Sequence, residues 1–317
     1  MTIRGERLIR EHGADAITWV KHAADVAAMS WAATEPTGPN ADQIRYWDGL
    51  SGPKWVALSD PLDAQLAAYG ERTMERLALH AGERVLDVGC GCGATTLALA
   101  ERVAPGGAVM GIDVSRPMLA RARERAAAAG AADVTFVRAD AQTHPFAPPP
   151  FDALFSRFGV MFFADPAAAF ANLRTALRPD GRIAFVCWQP LQRNPWMLVP
   201  LMAAAEHIAL PPPPAPDAPG PFAFGDGDRV RRLLGTAGFT SVAIEPMEDP
   251  VVIGGTVDAD EAARFILEVG PVGQALREAD PGARPAVATA VRAALRPWLT
   301  ADGIRMPAAA WIVTARA

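Results

Sequence analysis

Short apolar runs alternate with amphipathic stretches from about residue 83 onward, and this alternation predicts strands separated by helices. The predicted strands cover residues 84–88, 109–114, 134–138, 152–156 and 182–188. Helices are predicted between them, over residues 95–103, 116–129 and 167–177. A β-α-β rhythm of this kind favours a parallel sheet covered by helices on both faces.

The pattern differs on either side of this region. Before it, residues 1–40 predict a helical arm and a linker, and residues 63–79 carry the strongest helical stripe. After it come a helical stretch (190–210) and a proline-rich segment (211–220). The sequence then predicts a helix at 228–237, a strand at 240–245, helices over 258–300 and a final strand at 310–315. We therefore expect four parts. An N-terminal helical arm or lid (1–80) precedes a ligand-binding core (81–189), and a Pro-rich cap segment (190–227) follows the core. The last part (228–317) completes the core and carries a helical cap insertion at about 256–300.

The most distinctive stretch joins the first predicted strand to its helix. It reads Val-Leu-Asp-Val-Gly-Cys-Gly-Cys-Gly over residues 85–93, with glycine at every second position after Asp87. Glycines let the backbone approach a ligand closely. The dinucleotide fingerprint tolerates alanine at its third position, here Ala94, so the spacing alone leaves an NAD(P)-dependent oxidoreductase open. Asp87 argues against it, because a carboxylate repels a pyrophosphate but not a ligand that carries an ammonium and a sulfonium.

Acidic residues also end the next two predicted strands. Asp113 stands where a carboxylate can accept both ribose hydroxyls, and Ser115 is the expected cap of the following helix. Asp140 follows the third strand, where its carboxylate can meet an adenine amino group beside the backbone amide of Ala141. Because parallel strands end at one edge of a sheet, we expect these groups to converge on one ligand.

In this order, the motifs resemble those of the class I S-adenosylmethionine-dependent methyltransferases, and residues 80–188 are similar to the small-molecule branch that includes the ubiquinone/menaquinone C-methyltransferases. The resemblance implies an α/β fold with a Rossmann-like, seven-stranded, mostly parallel sheet whose last strand is antiparallel. It also implies S-adenosyl-L-methionine as cofactor and S-adenosyl-L-homocysteine as product. On the same basis Asp87, Gly89 and Gly91 would hold the methionine end, Asp113 the ribose, and Asp140 and Ala141 the adenine. The other expected cofactor contacts are Cys90, Gly93, Val114, Met118, Ser156, Arg157 and two lid residues, Tyr46 and Trp47.

The composition of the chain limits the classes of partner that we expect. The chain has 317 residues, half of them apolar, and a net charge of −5 without a basic block, so we expect no nucleic-acid partner. Three cysteines form no disulfide framework, which fits a reducing, cytoplasmic location. Cys90 and Cys92 are too few for a zinc site, so we expect no metal. Without an apolar run of about 18 residues, we expect no membrane span.

These observations favour methyl transfer to a small, largely apolar or aromatic metabolite, with a carbon, oxygen or nitrogen acceptor. Trp188 and Trp196 are the candidate substrate contacts, and His207 is the candidate base. A base is needed only if the nucleophile loses a proton near transfer. The alternatives are the oxidoreductase named above and a non-catalytic protein that keeps the S-adenosylmethionine pocket as a scaffold. A homodimer is compatible with the sequence.

Overall fold

The computed structural model describes residues 36–146 and 151–317, so the part of the predicted arm at 1–35 lies outside the described residues. Among the described residues, three helices precede the sheet: α1 (Ala41–Arg45), α2 (Gly52–Ala57) and α3 (Ser59–Leu77). A π-helical turn at Tyr46–Leu50 separates the first two. The described residues of the predicted lid are thus helical in pieces, as the sequence indicates.

Strands and helices then alternate. The strands of the described residues are β1 (Arg84–Val88), β2 (Ala108–Asp113), β3 (Val134–Arg138), β4 (Phe151–Arg157), β5 (Leu177–Trp188), β6 (Thr240–Met247), β7 (Val251–Val252), β8 (Leu299–Thr300), β9 (Gly303–Met306) and β10 (Ala310–Arg316). The remaining helices are α4 (Ala94–Val103), α5 (Arg116–Ala129), α6 (Pro166–Thr175), α7 (Pro195–Ala205), α8 (Gly227–Thr236), α9 (Ala259–Ile266), α10 (Gly270–Glu278) and α11 (Arg284–Leu295).

The central sheet has seven strands in the order β3-β2-β1-β4-β5-β10-β6. β10 is antiparallel to both of its neighbours, β5 and β6, while the pairs from β3 through β5 are parallel. This confirms the predicted fold class, including the position of the last strand.

Both faces of the sheet are buried, as the continuous apolar strands predict. Val85 and Ala153 belong to the apolar cluster beneath α3 and α4. Leu86 and Leu154, the next residues along the same strands, belong to the large cluster on the other face. Successive side chains of a strand point to opposite faces, so this alternation fixes the register of β1 and β4 between two helical layers.

A small second sheet was not predicted. β9 pairs antiparallel with both β7 and β8, and the three strands span only two to four residues each. Such short strands give too few alternating positions to be recognised in sequence. Between β7 and β8 lie α9, α10 and α11, which is where the helical insertion was predicted, and α10 and α11 pack against α7. In the described ranges, no helix is long and apolar enough to cross a membrane.

Candidate functional site

A cavity of about 280 Å³ lies at the carboxyl edge of the sheet, beyond the ends of β1 to β4. The glycine turn after β1 forms one wall, and residues that follow the next three strands continue it. Residues of α1 to α3 and of the α9–α10 region cover it. Open α/β sheets bind their ligands at this edge, so the position identifies the candidate site.

The glycine turn needs glycine for two different reasons. Gly89 (φ +67°) and Gly91 (φ +54°) adopt left-handed backbone conformations and line the cavity. A Cβ at Gly89 would lie 2.8 Å from the Cα of Gly159, so the turn also packs tightly against the residues after β4. Gly93 does not line the cavity. A Cβ there would lie 2.8 Å from the Cβ of Ala122, so this glycine serves the contact between α4 and α5 rather than the predicted cofactor contact.

Asp87 lies fully buried beneath this turn and is not part of the cavity wall, which corrects the prediction of a direct contact. Its Oδ2 accepts hydrogen bonds from the hydroxyls of Thr95 and Thr96, both at 2.7 Å. Its Oδ1 has no hydrogen-bond partner among the described residues. Burial raises the pKa of this carboxyl from 3.8 to about 6, an effect that the threonine hydroxyls and the nearby Arg157 oppose. A partly uncompensated negative charge therefore lies directly behind the loop.

Asp113 ends β2 on the cavity wall and is buried. Its two oxygens accept the backbone N–H groups of Gly91 and Ser115, each at 2.8 Å. Ser115 occupies the N-cap position of α5, but its hydroxyl has no partner among the described residues, so the prediction that its side chain caps the helix was wrong. Each carboxylate oxygen keeps a lone pair for a further donor. Burial raises the pKa of Asp113.

Asp140 and Ala141 lie beside each other on the wall beyond β3. Oδ1 of Asp140 accepts the backbone N–H of Gln142 and the side-chain amide of Asn40, both at 2.9 Å. The Oδ1 of Asn40 in turn accepts the N–H of Ala164 at 2.7 Å. Asn40 thus fastens the segment before α1 to the predicted adenine end of the site.

The predicted lid residues Tyr46 and Trp47 both line the cavity. Trp47 makes edge contacts with Phe162 and Trp55, with ring centroids 5.0 and 5.2 Å apart. The hydroxyl of Tyr46 accepts a hydrogen bond at 3.1 Å from Arg277 of α10. The two aromatic residues therefore connect the core, the N-terminal segment and the insertion.

Charged contacts reinforce this cover. Asp48 accepts the backbone N–H of Arg116 at 2.7 Å and pairs with the Arg116 and Arg138 guanidinium groups, both at 3.1 Å. On the insertion side, Lys54 pairs with Glu268 at 2.6 Å, and both residues line the cavity.

Ser156 and Arg157, both predicted cofactor contacts, have different positions. Ser156 is fully buried, does not line the cavity and donates its hydroxyl to the carbonyl of Val88 at 2.7 Å. It therefore joins the ends of β1 and β4 and is structural. Arg157 lines the cavity and pairs with Asp63, whose other oxygen accepts Arg125 at 2.7 Å.

Aromatic and apolar side chains form the opposite end of the cavity. Trp188 stacks on Phe158 with ring centroids 4.1 Å apart and planes 14° apart, and Trp196 lies 5.3 Å from Trp188. Met197 and Phe265 complete this end. Both predicted substrate tryptophans thus line the site.

His207 does not reach it. The residue is exposed and follows the last turn of α7, whereas Trp196 on the cavity wall belongs to the first turn. The helix separates them by about 15 Å along its axis. The structure therefore contradicts the prediction of His207 as the base.

The cysteines carry no charge at neutral pH. Cys90 and Cys92 line the cavity as free thiols, and burial raises the pKa of both, that of Cys92 to about 12. Among the described residues, no group of three or more His, Cys, Asp or Glu side chains could hold a metal ion.

Several residues of the site were missed in the sequence, among them Asn40 and Gln65. Gln65 lies on the buried stripe of α3 between Leu62 and Tyr69, at helical spacing from each. A polar residue within an apolar stripe is a signal that sequence reasoning can use. Asn40 gave no such signal, because its role depends on contacts with residues 100 and 124 positions away.

The residues of this site also fit the cofactor implied by the sequence. The charge of the buried Asp87 carboxylate behind the loop suits a cationic ligand, and the free lone pairs of Asp113 match a ribose diol. The sheet order and these groups agree with what the resemblance to the class I S-adenosylmethionine-dependent methyltransferases implies.

Comparison with known proteins gives the same class. Residues 85–181 match a protein family described as "Methyltransferase domain". Nocamycin O-methyltransferase of Saccharothrix syringae is 34% identical over 179 residues, which cover 54% of this chain and 64% of that protein. Demethylmenaquinone methyltransferase of Thermus thermophilus is 41% identical over 131 residues, which cover 41% of this chain and 59% of that protein.

The chain spans about half to two thirds of the length of these curated relatives. Among solved structures, the YcgJ protein from Bacillus subtilis matches with a TM-score of 0.52 and 16% identity, covering 78% of this chain and 97% of that one. At this identity the likeness shows the fold alone.

Proposed function

We propose that this chain transfers a methyl group from S-adenosylmethionine to a small, largely apolar or aromatic metabolite. One observation carries the proposal: the acidic end of the cavity, with Asp113 and Asp140, continues into an aromatic end with Trp188 and Trp196. A polar, nucleoside-sized region and an apolar region within one cavity suit a cofactor and an acceptor that must meet. Two relatives of the chain are named as methyltransferases for nocamycin and demethylmenaquinone, which supports this acceptor class.

The protein contributes binding, orientation and exclusion of water. When bound, S-adenosylmethionine supplies a methyl group on a positively charged sulfur. We assign the ribose to Asp113, the adenine to Asp140 and Ala141, and the methionine end to the Gly89–Gly91 backbone, Cys90 and Arg157, with Asp87 acting through its charge. Val114 and Met118 also line this end, and Tyr46 and Trp47 cover it. Holding two reactants aligned and dry supplies a large part of the rate of such reactions.

No base is assigned. With His207 remote from the cavity, transfer would rely on alignment and on an acceptor whose proton is already lost or leaves to solvent. We further propose that residues 36–80 and the insertion cover the substrate, in line with the predicted division of the chain. The predicted homodimer, the absence of nucleic-acid binding and the cytoplasmic location stay predictions.

The test uses S-adenosylmethionine with a trideuterated methyl group, incubated with the protein and a metabolite extract of the source cells. We expect an apolar product that gains the labelled methyl group, detected by mass spectrometry, together with S-adenosylhomocysteine. An Asp113→Ala control is expected to form neither. S-Adenosylhomocysteine binding without transfer to any acceptor would favour the scaffold alternative.

The oxidoreductase alternative predicts a different sheet. Doubly wound dinucleotide-binding folds continue with parallel strands, whereas here β10 inserts antiparallel between β5 and β6. Titration with NADH beside S-adenosylhomocysteine checks this directly, and tight binding of NADH alone would overturn the proposal.

The buried Asp87 carboxyl predicts a pH dependence of cofactor binding. Its pKa in the folded protein is raised to about 6, and a cationic ligand favours the ionised form. Affinity for S-adenosylmethionine should therefore fall below pH 6, by up to about tenfold per pH unit, as the carboxyl becomes protonated.

The same raised pKa means that the contribution of Asp87 to folding stability is greatest below its ordinary pKa of 3.8 and is lost as the pH rises through about 6.

Calorimetric titration at a series of pH values measures this effect. Asp87→Asn should bind more weakly and with a flatter pH profile. Adenosine serves as the control ligand, because it binds at the Asp113 end and lacks the cationic groups of S-adenosylmethionine. An identical pH profile for adenosine and S-adenosylmethionine would contradict the role given to Asp87.

A further inference from the structure

Two buried side chains that line the cavity carry N–H groups without hydrogen-bond partners among the described residues. They are the Nε2 of Gln65 and the Nε1 of Trp196, and both residues line the cavity. We infer that these two donors recognise a carbonyl oxygen of the methyl acceptor, which makes Gln65 and Trp196 determinants of substrate specificity. The inference rests on the proposed function, since it names the chemistry of the acceptor at the same site.

The amide of Gln65 is fixed by a contact of its own. Gln65 is 5% exposed, and its Oε1 accepts the backbone N–H of Gly254 at 2.8 Å. That bond determines which end of the amide is the acceptor, so the NH₂ group is left as the donor. Gly254 belongs to the segment between β7 and α9, and the contact therefore sets the position of Gln65 relative to the insertion.

Trp196 belongs to the same neighbourhood. It is 6% exposed, and its ring packs against Trp188, which in turn packs against Tyr69 with centroids 5.3 Å apart. Tyr69 follows Gln65 by one turn of α3. The two donors thus approach the aromatic end from different elements, α3 and α7.

The chemistry of these donors selects an uncharged oxygen acceptor. A buried N–H without a partner is costly, and native proteins leave few of them unless a ligand or a water takes the bond. Both donors are neutral. Of the cations that line the cavity, Lys54 and Arg157 pair with the carboxylates of Glu268 and Asp63. Arg277 donates to the hydroxyl of Tyr46, which we place over the cofactor end. A carboxylate would therefore bring an unbalanced charge to this end, whereas a carbonyl oxygen, with two lone pairs, accepts N–H groups without one.

The test compares two probes that differ in one carbonyl group, 1-tetralone and tetralin, by calorimetric titration of the protein saturated with S-adenosylhomocysteine. We expect the dissociation constant of 1-tetralone to be lower than that of tetralin by about 10-fold or more. Trp196→Phe should lower the affinity for 1-tetralone by about 10-fold more than the affinity for tetralin. Gln65→Glu keeps an acceptor for the N–H of Gly254. At a pH where the introduced carboxyl is ionised, this change should weaken the binding of 1-tetralone more than that of tetralin.

Trp311→Phe is the matched control. The indole N–H of Trp311 donates to the carbonyl of Gly225 at 2.8 Å, and the residue does not line the cavity. Its replacement removes a satisfied hydrogen bond, so Tm should fall by about 2–4 °C without a change in binding of either probe. Trp196→Phe removes a donor without a partner among the described residues and should instead lose the discrimination between the two probes.

Equal binding of the two probes, no binding of 1-tetralone, or an equal loss for both probes in Trp196→Phe would overturn the inference. S-Adenosylhomocysteine affinity and labelled methyl transfer are measured on the same samples. If cofactor binding and methyl transfer persist while the two probes bind equally, only the inference fails. If cofactor binding is absent and the probes are still distinguished, the proposed function fails instead.

Discussion

Asp113→Ala is expected to lower the affinity for S-adenosylmethionine by about 100-fold or more, because each hydrogen bond to a charged group contributes about 1.5–3 kcal/mol. The change removes both acceptors offered to the ribose. It also releases the N–H groups of Gly91 and Ser115, which shape the loop and the start of α5. Calorimetric titration with S-adenosylmethionine and S-adenosylhomocysteine measures the effect, with Tm recorded in parallel.

Asp217→Ala provides the control for loss of one acidic charge, since Asp217 is exposed in the proline-rich segment. Its affinity for both ligands should equal that of the unmodified protein. If Asp113→Ala binds S-adenosylmethionine as tightly as this control, the ribose assignment is incorrect.

Gly89→Ala is the substitution expected to destabilise the fold most. A left-handed conformation costs a non-glycine residue about 1–2 kcal/mol, and here the added Cβ also meets backbone. The Cβ would lie 2.8 Å from the Cα of Gly159, which cannot move without disturbing the end of β4. We expect a total loss of about 3 kcal/mol or more in the free energy of unfolding, measured by denaturant titration.

Gly106→Ala separates the two causes. Gly106 has φ +84°, yet a Cβ there would meet nothing within 4 Å. This variant should therefore lose only the conformational part, about 1–2 kcal/mol. Equal losses at the two positions would show that the contact between Gly89 and Gly159 contributes nothing.

The sheet could be predicted from the sequence because its strands are short, continuous apolar runs with clear turns between them. Predicted and observed strands agree within one or two residues from β1 to β4, and the final strand occupies the position implied by the family resemblance. Local signals sufficed there, since each parallel strand is followed by its own helix.

The site was predicted at the level of backbone position and less well at the level of side-chain role. Asp87 and Ser156 lie where the motifs place them, but their buried side chains bond to structural partners. Gly93 serves the close contact between α4 and α5. The hydroxyl of Ser115 does not cap the helix, because the Asp113 carboxylate accepts the N–H groups of Gly91 and Ser115 and the serine hydroxyl is left without a partner among the described residues. Such competition between neighbouring groups depends on distances that a sequence does not contain.

Long-range contacts account for what was not predicted. The bonds of Asn40 to Asp140 and of Gln65 to Gly254 join residues 100 and 189 positions apart. Neither pair has a local signature, and the β7–β9 pairing that brings the insertion over the site is equally non-local.

That pairing also has a consequence for how the acceptor specificity of this protein can be re-engineered. Val251 pairs with Met306, so the chain leaves for the helical insertion and returns from it at one point. Because the two ends are held together, lengthening the connection adds only slowly to the entropy of closing it. The stretch between these residues can therefore be exchanged as a cassette, provided that the graft keeps a backbone N–H for Gln65 and a carboxylate for Lys54. Such chimeras would change the acceptor and keep the methyl donor.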